Sequence, residues 1–248
     1  MVTLAEQLKL SALLLNAADI DTAALDARVL IAHALKLPIE SLMLESSRVL
    51  QDAEKRAIDV LVARRVEREP VSHIVGSRGF WKDEFLVTKH VLTPRPDSET
   101  MIEGLLKLRT KKNTAHRILD MGTGSGCLLL SSLREYPNAT GVGIDKSSEA
   151  IAIARANAER LKLSTRASFI ESDWFDNLAT DARFDIVLMN PPYIPTGDIA
   201  TLDRDVKTYE PHLALDGGQD GIEPYRKIFS QLSLYLSNHP LVLVEVGV

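Results

Sequence analysis

The stretch Arg117-Ile118-Leu119-Asp120-Met121-Gly122-Thr123-Gly124-Ser125-Gly126 decides the fold of this chain. Its first five residues predict a short strand, and the run Cys127–Glu135 that follows the stretch predicts a helix. A glycine loop between a strand and a helix lets the backbone approach a ligand and points the N–H groups of the helix N-terminus at it. The sequence therefore predicts a ligand site formed by Gly122, Thr123, Gly124, Ser125 and Gly126.

The spacing of the glycines narrows the class of ligand. Cys127 stands where a dinucleotide-binding fingerprint has its third glycine, which argues against a pyrophosphate cofactor such as NAD. The Gly-Lys-Ser/Thr ending of an ordinary phosphate-binding loop is also missing from this stretch. Both observations disfavour a loop that binds phosphate groups.

Two acidic positions after the loop complete this interpretation. The run Thr140-Gly141-Val142-Gly143-Ile144-Asp145 predicts a second strand, whose terminal carboxylate can accept hydrogen bonds from both ribose hydroxyls. A third strand leads into Asp173 and Trp174, which suit the edge and the face of an adenine ring. Each acid alone is more often a helix cap or a turn residue, but in this order they indicate a nucleoside cofactor without phosphates. S-adenosylmethionine is the obvious candidate.

A second site is predicted at Asn190-Pro191-Pro192-Tyr193, directly after the apolar run Phe184–Met189. The two prolines fix the backbone and remove two N–H donors, so that the turn is stiff and its carbonyl groups point outward. The Asn190 amide oxygen and the Pro191 carbonyl oxygen can together accept both hydrogens of one planar –NH2 group, on which the Tyr193 ring can stack. An Asn-Pro turn at the end of a strand is also common for purely structural reasons. Its combination with the cofactor pattern favours a site for an amide or aniline-type nitrogen.

Composition restricts the remaining function classes. A net charge of −5 over 248 residues gives no reason to expect wholesale binding to nucleic-acid backbone. One cysteine provides no disulfide or zinc framework, and the six histidines lack metal-ligand spacing, so that no metal is predicted. No apolar run reaches the length of a membrane span, and the N-terminus is not typical of a signal peptide. We therefore expect a cytoplasmic protein with no membrane partner and no direct nucleic-acid substrate.

Three regions are predicted along the chain. Residues 1–72 carry helical patterns, and residues 73–93 contain two short strands around a charged turn, which predicts a β-hairpin that links two domains. From residue 94 to residue 248 strands and helices alternate, which predicts a doubly wound, Rossmann-like parallel sheet. Residues 239–246 are almost continuously apolar and predict a central strand. The expected fold class is α/β, with a small all-helical N-terminal domain.

Several further motifs make the chain resemble the release-factor glutamine methyltransferases, often called the HemK or PrmC family, which are class I S-adenosylmethionine-dependent enzymes. The motifs that carry the resemblance are Phe80-Trp81, Val91-Leu92-Thr93-Pro94-Arg95-Pro96-Asp97-Ser98-Glu99, the loop Asp120-Met121-Gly122-Thr123-Gly124-Ser125-Gly126, Asn190-Pro191-Pro192-Tyr193, Glu210-Pro211, Ala214-Leu215-Asp216-Gly217-Gly218 and Asp220-Gly221. The chain departs from the family pattern at Thr93, where isoleucine is usual, and at Asp97-Ser98-Glu99, where Glu-Thr-Glu is usual. The resemblance also implies a C-terminal strand pair, which this sequence does not include, so that we expect the outer edge of the strand at residues 239–246 to be unpaired.

The resemblance implies a reaction as well as a fold. A methyl group would pass from S-adenosylmethionine to the side-chain amide nitrogen of the glutamine in the Gly-Gly-Gln motif of class I peptide chain release factors. Residues 1–72 would form the substrate-binding domain, residues 73–93 the hairpin linker and residues 94–248 the methyltransferase domain. Asn190, Pro191, Pro192 and Tyr193 would bind the substrate and carry catalysis. The cofactor would be held by the glycine loop with Asp145, Asp173, Trp174 and Asn190.

Other functions remain open from the sequence alone. A methyltransferase acting on the exocyclic amine of a nucleic-acid base could use the same tetrapeptide, although it would need a basic groove or a target-recognition domain. A non-catalytic module that keeps the cofactor fold is the second alternative, and methylation of a ribosomal protein is a third. The sequence also leaves open whether Arg95 contacts substrate or braces its loop, and whether Glu210 flanks the pocket. Gln219, which follows Gly217-Gly218, is interpreted as a coincidental repeat of the target tripeptide.

Overall fold

The computed structural model describes residues 2–247 and divides the chain into two compact units, residues 1–76 and residues 77–248. The first unit is built from helices, whose bounds are α1 (Leu4–Ala17), α2 (Ala23–Leu35), α3 (Ser41–Leu44), α4 (Asp52–Val66) and α5 (Val71–Val75). The short helices α3 and α5 were not predicted, because four or five residues are too few to show a helical period.

Local signals explain where the helices of the first unit begin and end. Thr3 and Glu6 form a capping box at the start of α1, and Gln51 and Glu54 form another at the start of α4. Lys36 ends α2 in the left-handed conformation, with a φ of 55°. The core of this unit includes the fully buried side chains Leu4, Leu15, Leu30, Ile31 and Ile58.

The second unit begins with a hairpin and continues as alternating strands and helices. Its strands are β1 (Ser77–Phe80), β2 (Asp83–Leu86), β3 (Arg117–Met121), β4 (Thr140–Asp145), β5 (Ala167–Glu171), β6 (Phe184–Met189) and β7 (Leu236–Val244). Its helices are α6 (Glu99–Leu108), α7 (Cys127–Glu135), α8 (Ser148–Arg160), α9 (Arg204–Tyr209) and α10 (Glu223–Gln231). The predicted α/β fold with a helical N-terminal region and a β-hairpin is confirmed.

The main sheet of the described residues has the strand order β5-β4-β3-β6-β7, with every neighbouring pair parallel. Side chains alternate between two cores: Ile118 and Ile186 face one, and Leu119 and Val187 face the other. The chain passes from β3 outward to β5 and then returns to β6 on the other side of β3. In open α/β sheets, ligands bind outside the carboxyl ends of the strands at such a reversal.

The hairpin is fixed to α7 by the buried carboxylate of Glu135. This carboxylate accepts hydrogen bonds from the indole Nε1 of Trp81 at 3.0 Å, from Lys112 Nζ at 2.7 Å and from Lys82 Nζ. Burial alone would raise the pKa of Glu135, but the bonds from Lys112, Lys82 and Trp81 outweigh it and lower that pKa to about 2. The hairpin therefore belongs firmly to the second unit.

The last strand lies at the edge of the main sheet, as expected of an apolar strand that lacks the family's further strand pair. β7 spans Leu236–Val244, and among the described residues it lies at the edge of the sheet beside β6, with side chains that are only partly buried. Across residues 2–247, no helix combines the length and the apolar character that crossing a membrane requires.

Candidate active site

A cavity of about 390 Å³ lies at the carboxyl ends of β3, β4 and β6 in the second unit. Its volume falls within the usual range for small-molecule sites, roughly 300–1,000 Å³. Seven of the residues predicted from the sequence line this cavity: Gly122, Gly124, Asp145, Asp173, Trp174, Asn190 and Pro192. The other predicted residues, Thr123, Ser125, Gly126, Pro191 and Tyr193, lie around it without being lining residues.

The glycines of the loop have different structural roles. Gly122, Gly124 and Gly126 all have positive φ, at 70°, 53° and 81°. A β-carbon on Gly124 would meet no described atom within 4 Å, since this position faces the open cavity. A β-carbon on Gly126 would lie 3.3 Å from the Ala154 side chain, so that Gly126 allows α7 and α8 to pack closely. The loop thus exposes its backbone to the cavity at Gly122 and Gly124.

Asp145 ties the glycine loop to the end of β4. Its Oδ2 accepts the backbone N–H of Gly124 at 2.9 Å, and its Oδ1 accepts that of Ser147 at 2.9 Å. Burial raises the pKa of Asp145, against the hydrogen bonds from Ser147 and Gly124, which lower it. Each carboxylate oxygen keeps lone-pair capacity on the cavity side, which is what two hydroxyl donors of a ribose need.

Buried residues next to the glycine loop hold it by hydrogen bonds. One of them, Asp120, was not predicted as a site residue. Thr123 donates its hydroxyl to Asp120 Oδ2 at 2.6 Å, and the carbonyl of Ser125 accepts Asn157 Nδ2 at 2.9 Å. The second oxygen of Asp120, Oδ1, is buried without a well-formed hydrogen bond, although the N–H of Leu129 stabilises the carboxylate weakly. Burial raises the pKa of Asp120 to about 7. Its place at the end of β3, before the first loop glycine, was the available signal.

Asp173 and Trp174 line the cavity just beyond the end of β5. Trp174 has a positive φ of 53°, and its carbonyl accepts the Ser172 hydroxyl at 2.8 Å. Asp173 accepts Lys146 Nζ at 2.6 Å, so that the carboxylate has a cation beside it. The pair therefore brings one carboxylate and one aromatic ring to the end of the cavity that also contains Asp145 and Lys146.

The tetrapeptide after β6 presents its first and third residues to the cavity. Asn190 and Pro192 are lining residues, Pro191 is buried and Tyr193 is 38% exposed. The Asn190 side chain donates from Nδ2 to the hydroxyl oxygen of Ser98 at 3.3 Å. This contact turns the amide nitrogen of Asn190 toward Ser98 and leaves its carbonyl oxygen available to accept a hydrogen bond.

The glycine-rich segment 216–221 packs against the backbone of Tyr193. A β-carbon on Gly221 would lie 2.5 Å from the Tyr193 carbonyl oxygen, and one on Gly217 would lie 2.8 Å from Tyr193 Cα. The Ile194 carbonyl accepts the N–H of Gly217 at 2.8 Å, and the Gly218 carbonyl accepts the N–H of Thr196 at 2.9 Å. Gly217 is buried in this contact, whereas Gln219 is exposed, and the interpretation of Gln219 as a coincidental repeat stays a prediction.

The loop before α6 is braced by a buried acid. Glu210 accepts the backbone N–H of Thr93 at 3.1 Å and Arg95 Nη2 at 3.3 Å, and its own side chain is 2% exposed. Glu210 is therefore a structural residue of this loop, and Arg95 is held by it. The sequence had left both roles open.

Comparison with known proteins shows which proteins this chain is similar to. A family model described as the PrmC N-terminal domain matches residues 6–76, and one described as the methyltransferase small domain matches residues 98–217. The release factor glutamine methyltransferase of Caulobacter vibrioides is 43% identical over 233 residues, which cover 94% of this chain and 80% of that protein. That of Rhodospirillum rubrum is 42% identical over 233 residues, covering 94% and 70%. That of Bradyrhizobium diazoefficiens is 41% identical over 235 residues, covering 94% and 78%.

The first family model matches most of the first unit, and the second matches the part of the second unit that contains the glycine loop and the Asn190–Tyr193 tetrapeptide. The resemblance noted from the motifs is confirmed at this level of identity. The chain therefore belongs to the release factor glutamine methyltransferases, a family of S-adenosylmethionine-dependent protein-glutamine methyltransferases.

Proposed function

We propose that this chain transfers a methyl group from S-adenosylmethionine to the side-chain amide nitrogen of the glutamine in the Gly-Gly-Gln motif of class I release factors. The observation that carries the proposal is that Asn190 and Pro192 line the same cavity as Gly124 and Asp145. A glutamine amide held at Asn190 would therefore share one compartment with a cofactor held at Asp145.

The residues of the cavity fit the parts of the cofactor. Asp145 offers acceptors for the ribose hydroxyls, and Asp173 with Trp174 suits the adenine edge and face. Gly122 and Gly124 leave room for the methionine part along the backbone of the loop. When bound, S-adenosylmethionine supplies a methyl group already activated by the sulfonium charge.

The tetrapeptide supplies the acceptors that orient the nitrogen. We propose that the Asn190 side-chain carbonyl and the Pro191 backbone carbonyl accept the two amide hydrogens of the glutamine, with Tyr193 beside the amide plane. Proline at both positions 191 and 192 keeps these acceptors in place, since neither residue can rotate about φ. The packing of Gly217 and Gly221 against Tyr193 keeps the next residue in place as well.

Positioning accounts for most of the proposed catalysis. A glutamine amide is a weak nucleophile because its nitrogen lone pair is delocalised into the carbonyl group. The two acceptors strengthen their bonds as the nitrogen becomes pyramidal and gains positive charge, which favours the transition state over the bound substrate. The N–C bond to the methyl group forms as the S–C bond breaks, and the nitrogen then releases one proton to water. Well-oriented reactants can gain several kcal/mol from this arrangement alone.

The first unit is proposed to bind the release factor. We infer that residues 1–72 form the substrate-binding domain, residues 73–93 the hairpin linker and residues 94–248 the catalytic domain. Leu10, Leu13 and Leu14 follow one another on α1 at helical spacing, and all three are exposed within the described structure. An apolar stripe of this kind is typical of a surface that contacts another protein.

The experiment that tests the proposal compares acceptors. The chain is incubated with methyl-labelled S-adenosylmethionine and, separately, with a class I release factor, the same factor with its motif glutamine changed to alanine, a ribosomal extract, and duplex DNA. Label should appear on the intact factor alone. Label on the alanine variant or on DNA would contradict the proposed substrate.

A further inference from the structure

We infer that Ser98 and Glu245 are positioning residues that fix which end of the Asn190 side-chain amide faces the substrate. The inference rests on the proposed function, in which the carbonyl oxygen of Asn190 accepts a hydrogen bond from the substrate amide. It assigns two residues outside the tetrapeptide to the control of that acceptor.

The three side chains form a continuous chain of hydrogen bonds. Asn190 Nδ2 lies 3.3 Å from Ser98 Oγ, and Ser98 Oγ lies 2.5 Å from Glu245 Oε2. Ser98 is buried, so that water does not compete for its hydroxyl group. Asn190 alone among the three belongs to the lining of the cavity, which makes the other two its support.

The donors and acceptors available in the three groups determine the direction of both hydrogen bonds. An ionised carboxylate can only accept hydrogen bonds, so that the single hydroxyl proton of Ser98 is directed to Glu245. The Ser98 oxygen then has only lone pairs left for Asn190, and it can bind the –NH2 end of that amide but not the carbonyl end. The carbonyl oxygen of Asn190 must therefore point away from Ser98. The opposite orientation would present N–H donors to a substrate –NH2 group, and two donors repel each other.

The pairing of β6 with β7 holds Glu245 beside Asn190 even without these side-chain hydrogen bonds. Val244 pairs with Met189 across β6 and β7, so that Glu245 and Asn190 follow directly after a pair of opposed residues. The N–H of Glu245 donates to the Met189 carbonyl at 3.0 Å, and the Glu245 carbonyl accepts the Tyr225 hydroxyl at 2.9 Å. With its backbone held on both sides, the Glu245 carboxylate is directed at the start of α6, where Ser98 lies.

Variants of the full chain test the inference through kinetics. Ser98→Ala removes the acceptor for Asn190, and Ser98→Thr keeps the hydroxyl group. Glu245→Gln replaces an obligate acceptor by an amide that can also donate to Ser98 and so release Asn190. Thr100→Ala is the matched control, because the exposed Thr100 hydroxyl donates to the nearby Asp97 carbonyl at 2.6 Å.

With a glutamine peptide as substrate, kcat should fall about tenfold or more in Ser98→Ala, the loss expected for one hydrogen bond of about 1.4 kcal/mol. Glu245→Gln should show a smaller fall, and Ser98→Thr and Thr100→Ala should stay close to the parent protein.

A second readout separates positioning from loss of structure and from a wrong substrate. Binding of S-adenosylhomocysteine should change much less than kcat in all variants, because none of the substituted residues lines the cavity. In the parent protein without substrate, the side-chain NH2 signal of Asn190 in an amide NMR spectrum should be protected from hydrogen exchange, and Ser98→Ala should lose this protection. If the parent protein methylates no glutamine peptide, the proposed function fails while the NMR result still decides the inference. Unchanged kcat and unchanged Asn190 protection in Ser98→Ala would overturn it.

Discussion

Gly217 lies directly against the backbone of Tyr193, so closely that a β-carbon at position 217 would come within 2.8 Å of Tyr193 Cα. Segment 216–221 thus packs against the Asn190–Tyr193 tetrapeptide. A parallel β-bridge between Ile194 and Asp216 joins the two segments. This close approach of two backbones explains Gly217, and the positive φ of 84° explains Gly218.

This contact predicts the effect of a single methyl group. Gly217→Ala must push Tyr193 and its neighbours out of place, since the atoms in contact are backbone atoms that cannot swing aside. We expect it to lower kcat about tenfold or more and to destabilise the fold by about 1–3 kcal/mol. Gly197→Ala is the matched control, because a β-carbon there meets no described atom within 4 Å. Equal activity of the two variants would show that Tyr193 need not be held this closely.

A second prediction concerns the open side of the glycine loop. Gly124→Val combines an unfavourable positive φ with a side chain that enters the cavity, and we expect it to abolish binding of S-adenosylhomocysteine in calorimetry. Gly76→Val carries the same backbone penalty at a φ of 77°, with no described atom within 4 Å of the added β-carbon. It should lose stability but retain binding. If both variants lost binding, backbone strain and not obstruction of the cavity would explain the loss.

The burial of Asp120 predicts a dependence of stability on pH. The pKa of Asp120 is about 7 in the folded protein and near 3.8 when the group is exposed. At a pH between these two values, the folded state holds a proton that the unfolded state has released. The free energy of unfolding should therefore fall as pH rises from 4 to 7, by an amount on the order of 3 kcal/mol from this group. Asp120→Asn should remove that part of the slope. Parallel curves for the two proteins in denaturant titrations would contradict the assignment.

The proposed role of the first unit predicts an effect that depends on the size of the substrate. Leu13→Asp, on the exposed stripe of α1, should raise KM for a whole release factor and leave KM for a short glutamine peptide unchanged. Leu108→Asp, on an exposed position of α6 in the second unit, serves as the control. A rise in KM for both substrates in Leu13→Asp would mean that the stripe stabilises the enzyme without contacting the factor.

Features carried by neighbouring residues could be predicted from the sequence. The glycine loop, the strands around it and the Asn-Pro-Pro-Tyr turn each occupy one short segment, and the alternation of strands and helices fixes the sheet class. Contacts between distant segments could not be predicted in this way. The packing of Gly217 on Tyr193, the brace of Glu210 on Thr93, and the chain from Glu245 through Ser98 to Asn190 exist only once the sheet brings these segments together.

The state of Asp120 escaped prediction for a similar reason. The buried Oδ1 of Asp120 depends on what surrounds it in three dimensions, whereas the sequence shows only an acid at the end of a strand.

The most direct test of the central claim is a single-turnover measurement of methyl transfer to a Gly-Gly-Gln peptide by the parent protein and by Asn190→Ala. Mass spectrometry of the product locates the methyl group, and the rate reports the contribution of the Asn190 acceptor. The account predicts one methyl group on the side-chain nitrogen of the glutamine and a rate lower by about a hundredfold or more in Asn190→Ala, with cofactor binding nearly unchanged. A methyl group on another atom, or equal rates in the two proteins, would contradict it.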